Sequence, residues 1–160
     1  MPEDKMLTER DFHKKSAVDL FNLVWALLDK KDRTKLENDR MVHAAHGSRY
    51  HWGEVGTPLE SVRGEWQISR VYSTLKRPEA ALYHAKRRLE ICEENKIGGF
   101  DIAFAFEATA RAYAVAGSRG DSHEFIELAA KAGSNIERKE DRDYFMSELR
   151  TVPGQANSSA

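Results

Sequence analysis

Ile68-Ser-Arg-Val-Tyr72 is answered 41 residues later by Thr109-Ala-Arg-Ala-Tyr113. Arg70 thereby falls on Arg111 and Tyr72 on Tyr113, and the same offset sets Trp25 on Trp66 and His43-Ala44 on His84-Ala85. Self-similarity at a period of 20–50 residues marks a stacked-repeat architecture, in which each unit buries its apolar face only against its neighbours. Beyond Gly117 the register is expected to slip. Ser118-Arg-Gly-Asp121 reads as a loop longer than its counterpart, which aligns Ala85 with Ala129 at an offset of 44.

Outward from this echo the chain reads as helices throughout, since apolar residues recur with a 3.6 period and no segment alternates as a strand would. Thr8 caps a first helix over residues 9–30, with Ala17, Leu20, Phe21, Val24, Leu27 and Leu28 on one face. Asp32 or Thr34 opens a second, which Gly53-Glu-Val-Gly-Thr-Pro58 breaks just after Trp52. Pro58 opens a third helix to Leu75, at a position where its missing N–H costs nothing. Pro78 opens a fourth to Asn95, which Gly98-Gly99 stops. Asp101 caps a fifth that ends at Gly117; a sixth spans 121–136 and a seventh 140–150. Pro153 to Ala160, small and polar, is expected to be disordered. Short connections argue for antiparallel neighbours. The expected fold is all-α, a single domain over residues 1–152 with about seven helices. Three stacked antiparallel hairpins (17–56, 58–98 and 100–138) are followed by a capping helix at 140–150.

The totals exclude several function classes. With 25 basic and 26 acidic side chains, the chain lacks the positive excess that nucleic-acid binders use to displace phosphate counterions. Lys86-Arg87-Arg88 is followed by Glu90, Glu93 and Glu94 and reads as a solvated helix face. Cys92, the sole cysteine, forms no intrachain disulfide; beside Leu89 and Ile91 and among acids it reads as a small hydrophobe, not a nucleophile. Met1-Pro-Glu-Asp-Lys5 lacks the basic start and apolar stretch of a signal peptide. The near-apolar run Leu23–Leu28 falls far short of the ~20 residues of a membrane span. A soluble, cytoplasmic protein with neither membrane nor nucleic-acid partners is expected.

Chemistry is concentrated in His43-Ala-Ala-His-Gly-Ser-Arg-Tyr-His-Trp52. His43 and His46, three apart, share a helix face, whereas His51 lies about 80° around the axis from His43. A catalytic zinc needs three protein ligands, and no His-Glu-x-x-His signature is present. No metal is expected, with His43, His46 and His84 as the alternative set. The segment reads two ways: as the lining of a small-molecule pocket, or as a polar network that fixes hairpin packing with Glu65 as the acid. A nucleophile elbow is lacking, as are a phosphate loop and a dinucleotide fingerprint. Neither a cofactor nor catalysis is expected.

In the middle unit Ile68, Tyr72, Ala81 and Ala85, and in the third Ala110, Tyr113 and Gly117, the chain resembles the tetratricopeptide-repeat superfamily. It departs from that pattern in its period, which exceeds the usual ~34 residues. Lys31 stands where a tyrosine would fall in the first unit, and no proline ends the second helices. The resemblance implies a right-handed superhelix whose first helices line a concave, partner-binding groove. Arg63, Trp66, Arg70, Phe104, Glu107 and Arg111 would face it, joined by Asn22, Trp25 and Asp29 from the first unit. Arg70 and Arg111 would stand one helix spacing (~8–10 Å) apart and grip a carboxylate bidentately, with Trp66 as an aromatic anchor. The competing assignment makes the tryptophans core and pairs the arginines with Glu107 or Asp29. The expected function is a non-catalytic module or scaffold holding a protein or peptide segment, acidic in character. The alternative is a metal- or small-molecule-binding protein or enzyme using His43–Trp52. An apolar first helix with Phe12, Leu20, Phe21 and Trp25 also suits a homodimer.

Overall fold

The computed structural model describes residues 6–155, which form seven α-helices and no strand. They are α1 (Glu9–Asp29), α2 (Lys35–Val55), α3 (Pro58–Thr74), α4 (Pro78–Glu94), α5 (Gly99–Val115), α6 (Arg119–Ser134) and α7 (Lys139–Leu149). Threonines start the first three. The Thr8 hydroxyl accepts from the Asp11 N–H. Thr34 with Glu37 and Thr57 with Glu60 form capping boxes, which satisfy orphan N–H groups at each helix start.

Three boundaries differ from the sequence reading, each for a local reason. Helix α2 passes through Gly53 to Val55. A mid-helix glycine costs only ~1 kcal/mol, and the Arg49 side chain lies over both Gly53 and Gly64, where a Cβ would crowd it. Helix α5 begins at Gly99, so Asp101 stands in its first turn instead of capping it. Helix α6 begins at Arg119, so Ser118-Arg-Gly-Asp121 is a cap and first turn, not a long loop. The expected slip to an offset of 44 is therefore corrected at this point, because α4 starts at 78 and α6 at 119, still 41 apart. The tail also differs at its start: Pro153 and Gly154 form a turn, after which Gln155 Nε2 donates to the carbonyls of Leu149 and Val152. Residues 156–160 lie outside the described residues.

The 41-residue echo is realised in hydrogen bonds. Arg77 N–H donates to the Tyr72 carbonyl and Lys76 N–H to that of Ser73; Ser118 and Gly117 do the same to Tyr113 and Ala114. Both turns are Schellman closures through a left-handed residue, Lys76 at φ 58° and Gly117 at φ 80°. Inside the second and third hairpins one serine hydroxyl bonds one alanine carbonyl across the helices: Ser69 to Ala81 at 2.8 Å and Ser122 to Ala110 at 2.9 Å. Positions 69/81 and 110/122 are related by the same offset, with the donor exchanged between helices.

Helices α1 and α2, α3 and α4, and α5 and α6 pair as hairpins, and α7 covers α5 and α6. Three apolar clusters run along the stack. Val24, Met41, Ala44, Ile68 and Val71 fill the first. Val62, Ile91, Cys92 and Ala105 fill the second, and Phe104, Ala110, Ala129, Phe145 and Leu149 the third. Cys92 is buried, and that burial pushes its thiol up to about 11. On α1, Leu20 packs against the first cluster while Phe12 is exposed. Helix α7 docks on α6 at Gly133, where any Cβ would overlap the fully buried Phe145 ring. Gly133→Ala should therefore cost about 1–3 kcal/mol, the range for overpacking a tight core. Urea denaturation checks this; an unchanged midpoint would mean that α7 is not seated this closely.

Candidate ligand-binding groove

Aromatic side chains from three successive odd-numbered helices stand in a row. Trp25 of α1 and Trp66 of α3 have centroids 5.2 Å apart, and Trp66 and Phe104 of α5 are likewise 5.2 Å apart. Phe100 lies 4.7 Å from Phe104, and Tyr144 of α7 closes the far side at 6.0 Å. Together with Phe21, Arg63, Arg88 and Asp101 they line a cavity of about 270 Å³. A wider cleft of about 610 Å³ runs past Ala114, His123 and Gln155, but none of its lining side chains has a buried polar atom lacking a partner.

The cavity's electrostatics centre on α4. Arg88 is only 1% exposed and lies over the Trp66 ring with its guanidinium carbon 5.4 Å from the centroid. Its Nη2 is 3.7 Å from Asp101 Oδ1, too long for a hydrogen bond, while Nε and Nη1 have no partner. Burial pulls this guanidinium down to about 10, with the Asp101 carboxylate opposing. Asp101 also accepts from Arg63 Nε at 3.4 Å. Trp66 Nε1 is a further buried donor without a partner.

Beside the cavity a second ionic group ties α3, α5 and α7 together. Arg111 Nε donates to Glu107 Oε1 at 2.7 Å, and Nη2 reaches Thr151 Oγ1 at 2.7 Å and the Glu148 carbonyl at 3.2 Å. Arg70 Nη2 donates to Glu148 Oε2 at 2.7 Å, and its Nη1 is 3.7 Å from Glu107. The six residues named from sequence thus divide. Arg63, Trp66 and Phe104 line the cavity, whereas Arg70, Glu107 and Arg111 form an adjoining network that α7 covers. Trp25 joins the cavity; Asn22 and Asp29 are exposed.

In the histidine-rich segment, His46 and His84 stand 5.4 Å apart, but each ring nitrogen in contact has a different partner. His46 Nε2 pairs with the Tyr72 hydroxyl at 2.8 Å, and His84 Nδ1 with Glu65 Oε2 at 2.6 Å. Arg49 Nε donates to the other Glu65 oxygen at 3.2 Å. His51 turns away to His13 on α1, Nδ1 to Nδ1 at 2.8 Å, and His43 is exposed. Among the described residues no three His, Cys, Asp or Glu side chains are gathered to hold a metal ion. Burial raises Glu65, yet the His84 and Arg49 contacts outweigh it and hold the carboxyl below its usual range. Partial desolvation lowers His46, an exposed residue, and the neighbouring His84 and His43 add to the fall against the opposing pull of Glu65.

Sequence reasoning missed Arg88, Phe100, Asp101 and Tyr144. Arg88 was grouped with a solvated face, and the structure corrects this: Arg87 pairs with Glu90 and Glu94 outside, while Arg88 is buried. The signal was available, since Arg88 continues the buried stripe Ala81, Ala85, Cys92 at three- and four-residue spacing. No family model, curated protein or solved structure matches the chain.

Removing Glu107 strands two arginines against a buried helix. Glu107→Ala should cost about 3–5 kcal/mol in urea denaturation, and adding Arg111→Met should recover part of it. If Glu107→Ala alone were neutral, the network would not be holding α7. The polar network makes a pH prediction. Because the folded protein disfavours His46 protonation, the unfolded chain takes up this proton first. The stability His46 contributes is complete above its ordinary value of 6.5 and is lost as pH falls through the depressed folded value. Glu65, also depressed, adds a second loss below its ordinary 4.5. Melting temperature should therefore fall in two stages on acidification, and His46→Gln should flatten the upper one. A single decline, identical in the variant, would contradict this.

Proposed function

We propose that the protein is a non-catalytic binding module that holds an acidic peptide segment, one apolar side chain of which enters the Trp25–Trp66–Phe104 groove. The observation that carries this reading is the open aromatic row with basic Arg63 at its mouth, 51% exposed as a side chain. Aromatic anchors in concave sites dominate interface energetics, and arginine is the side chain best suited to a carboxylate partner. The tetratricopeptide-like organisation belongs to the same proposal. Its support is the Tyr72 and Tyr113 turns and the Ser69–Ala81 and Ser122–Ala110 bonds, repeated at one offset. In this reading Arg70 and Arg111 are not the gripping residues; they hold α7 against the stack and so shape the groove wall at Tyr144.

The test is tryptophan fluorescence titration with an acetylated acidic hexapeptide containing one phenylalanine, against the same peptide with lysines for its acids. The acidic peptide should shift the emission and bind at least tenfold tighter than the basic one. Arg63→Glu, a change at an exposed position, should abolish that preference. Equal binding of both peptides, or an unaltered preference in Arg63→Glu, would remove the basis for the proposal.

A further inference from the structure

We infer that the floor of this groove is a carboxylate subsite, in which Arg88 Nε and Nη1, with Trp66 Nε1, bind the carboxylate of a ligand whose apolar body packs on the aromatic row. The inference rests on the groove reading and names the chemistry of its occupant. Three observations converge. Arg88 is 1% exposed, borders the cavity, and leaves two N–H groups without an acceptor. A buried, unpaired guanidinium donor is costly, because desolvation of a charge is repaid only by hydrogen-bonded counter-charge. Trp66 Nε1 is a second orphan donor on a side chain lining the same cavity. Buried orphan donors of one kind at one cavity call for an acceptor, not a further donor.

Charge and size restrict the acceptor. The ion pairs around the groove fall into two groups: Arg70 and Arg111 are balanced by Glu107 and Glu148, whereas Arg63 and Arg88 share Asp101 alone. The group at the cavity is therefore one negative charge short, which a single carboxylate supplies. Asp101 cannot supply it itself: Arg63 already donates to its Oδ1, and the same oxygen stays 3.7 Å from Arg88. Glu107 spends Oε1 on Arg111, and although its Oε2 is buried without a partner, it makes no ion pair with Arg88. A cavity of about 270 Å³ is at the small end for ligands and fits one ring or one branched side chain with its acid. Lowering of the Arg88 pKa by burial agrees with the missing counter-charge.

The probes are 3-phenylpropionate and its alcohol, 3-phenylpropanol, titrated by tryptophan fluorescence and by nitrogen–proton correlation spectra of the indole and guanidinium groups. The acid should bind roughly 10- to 100-fold tighter than the alcohol, the factor expected of a charge-assisted hydrogen bond made in a desolvated site. The Arg88 Nε–H and Trp66 Nε1–H signals should move only with the acid. Arg88→Met, which replaces a buried charge by an apolar chain of similar length, should erase the acid's advantage over the alcohol. The wild-type comparison stands even if that variant fails to fold. Two further probes locate the source of the carboxylate, an acetylated tetrapeptide ending in phenylalanine as the free acid and as the amide. Tighter binding of the free-acid peptide than of 3-phenylpropionate assigns the subsite to a chain terminus; the reverse assigns it to a free organic acid. Equal affinity of acid and alcohol overturns the carboxylate subsite while leaving the groove. Failure of both to perturb the tryptophans overturns the groove reading as well.

Discussion

The Glu107–Arg111 pair is the interaction on which most of the architecture turns. Glu107 is fully buried in the middle of α5, where an isolated carboxylate would be strongly destabilising. Its Oε1 is compensated by Arg111 one turn along the same helix, with Arg70 of α3 3.7 Å away, and those two arginines in turn hold Glu148 of α7 and Thr151 just beyond it. A charge that needs partners from three helices specifies where those helices lie, which apolar contact alone does less sharply. It also explains why the chain does not stop after α6. Without α7, two guanidinium groups would lack half their acceptors.

Around that pair, small residues permit the close approach that stacking requires. Helix α5 buries Ala103, Ala105, Ala108, Ala110 and Ala112, so neighbouring helices can approach its backbone on several sides. The hydroxyls of Ser69 and Ser122 then bridge the second and third hairpins at the same relative position. At one edge Trp25, Trp66, Phe100, Phe104 and Tyr144 meet and leave a cavity. The groove thus lies where bulky rings, not alanines, stand between neighbouring helices.

The polar network at His46, Arg49, Glu65, Tyr72 and His84 plays a different part. Each carboxylate oxygen of Glu65 has its own cationic or histidine partner, and Gly64 is needed for Arg49 to lie across α3. That leaves few free valences, in contrast to Arg88, a cavity-lining residue two of whose donors have no acceptor. The contrast between a satisfied and an unsatisfied buried group, not the density of functional side chains, distinguishes the two regions.

Helix count, hairpin pairing and the 41-residue echo were legible in the chain because they depend on local terms: apolar period, proline and glycine punctuation, and threonine caps. Boundaries at Gly53, Asp101 and Ser118 were not, since a glycine or a capping residue yields to whatever tertiary partner lies above it. Arg63, Trp66 and Phe104 were named because the tetratricopeptide resemblance implies a groove lined by first helices, and periodicity only places such side chains on a helix face. What each side chain meets there is a property of the neighbouring helix. Periodicity therefore could not say that α7 would cover Arg70 and Arg111, nor that Arg88 would leave a surface run of charge to lie beneath Trp66. Sequence alone determined the helices and the 41-residue echo between them, because hydrogen bonds within a helix are short in range. Only the tertiary structure decided which charges are matched and which are left waiting, because burial and counter-charge are contributed by segments distant along the chain.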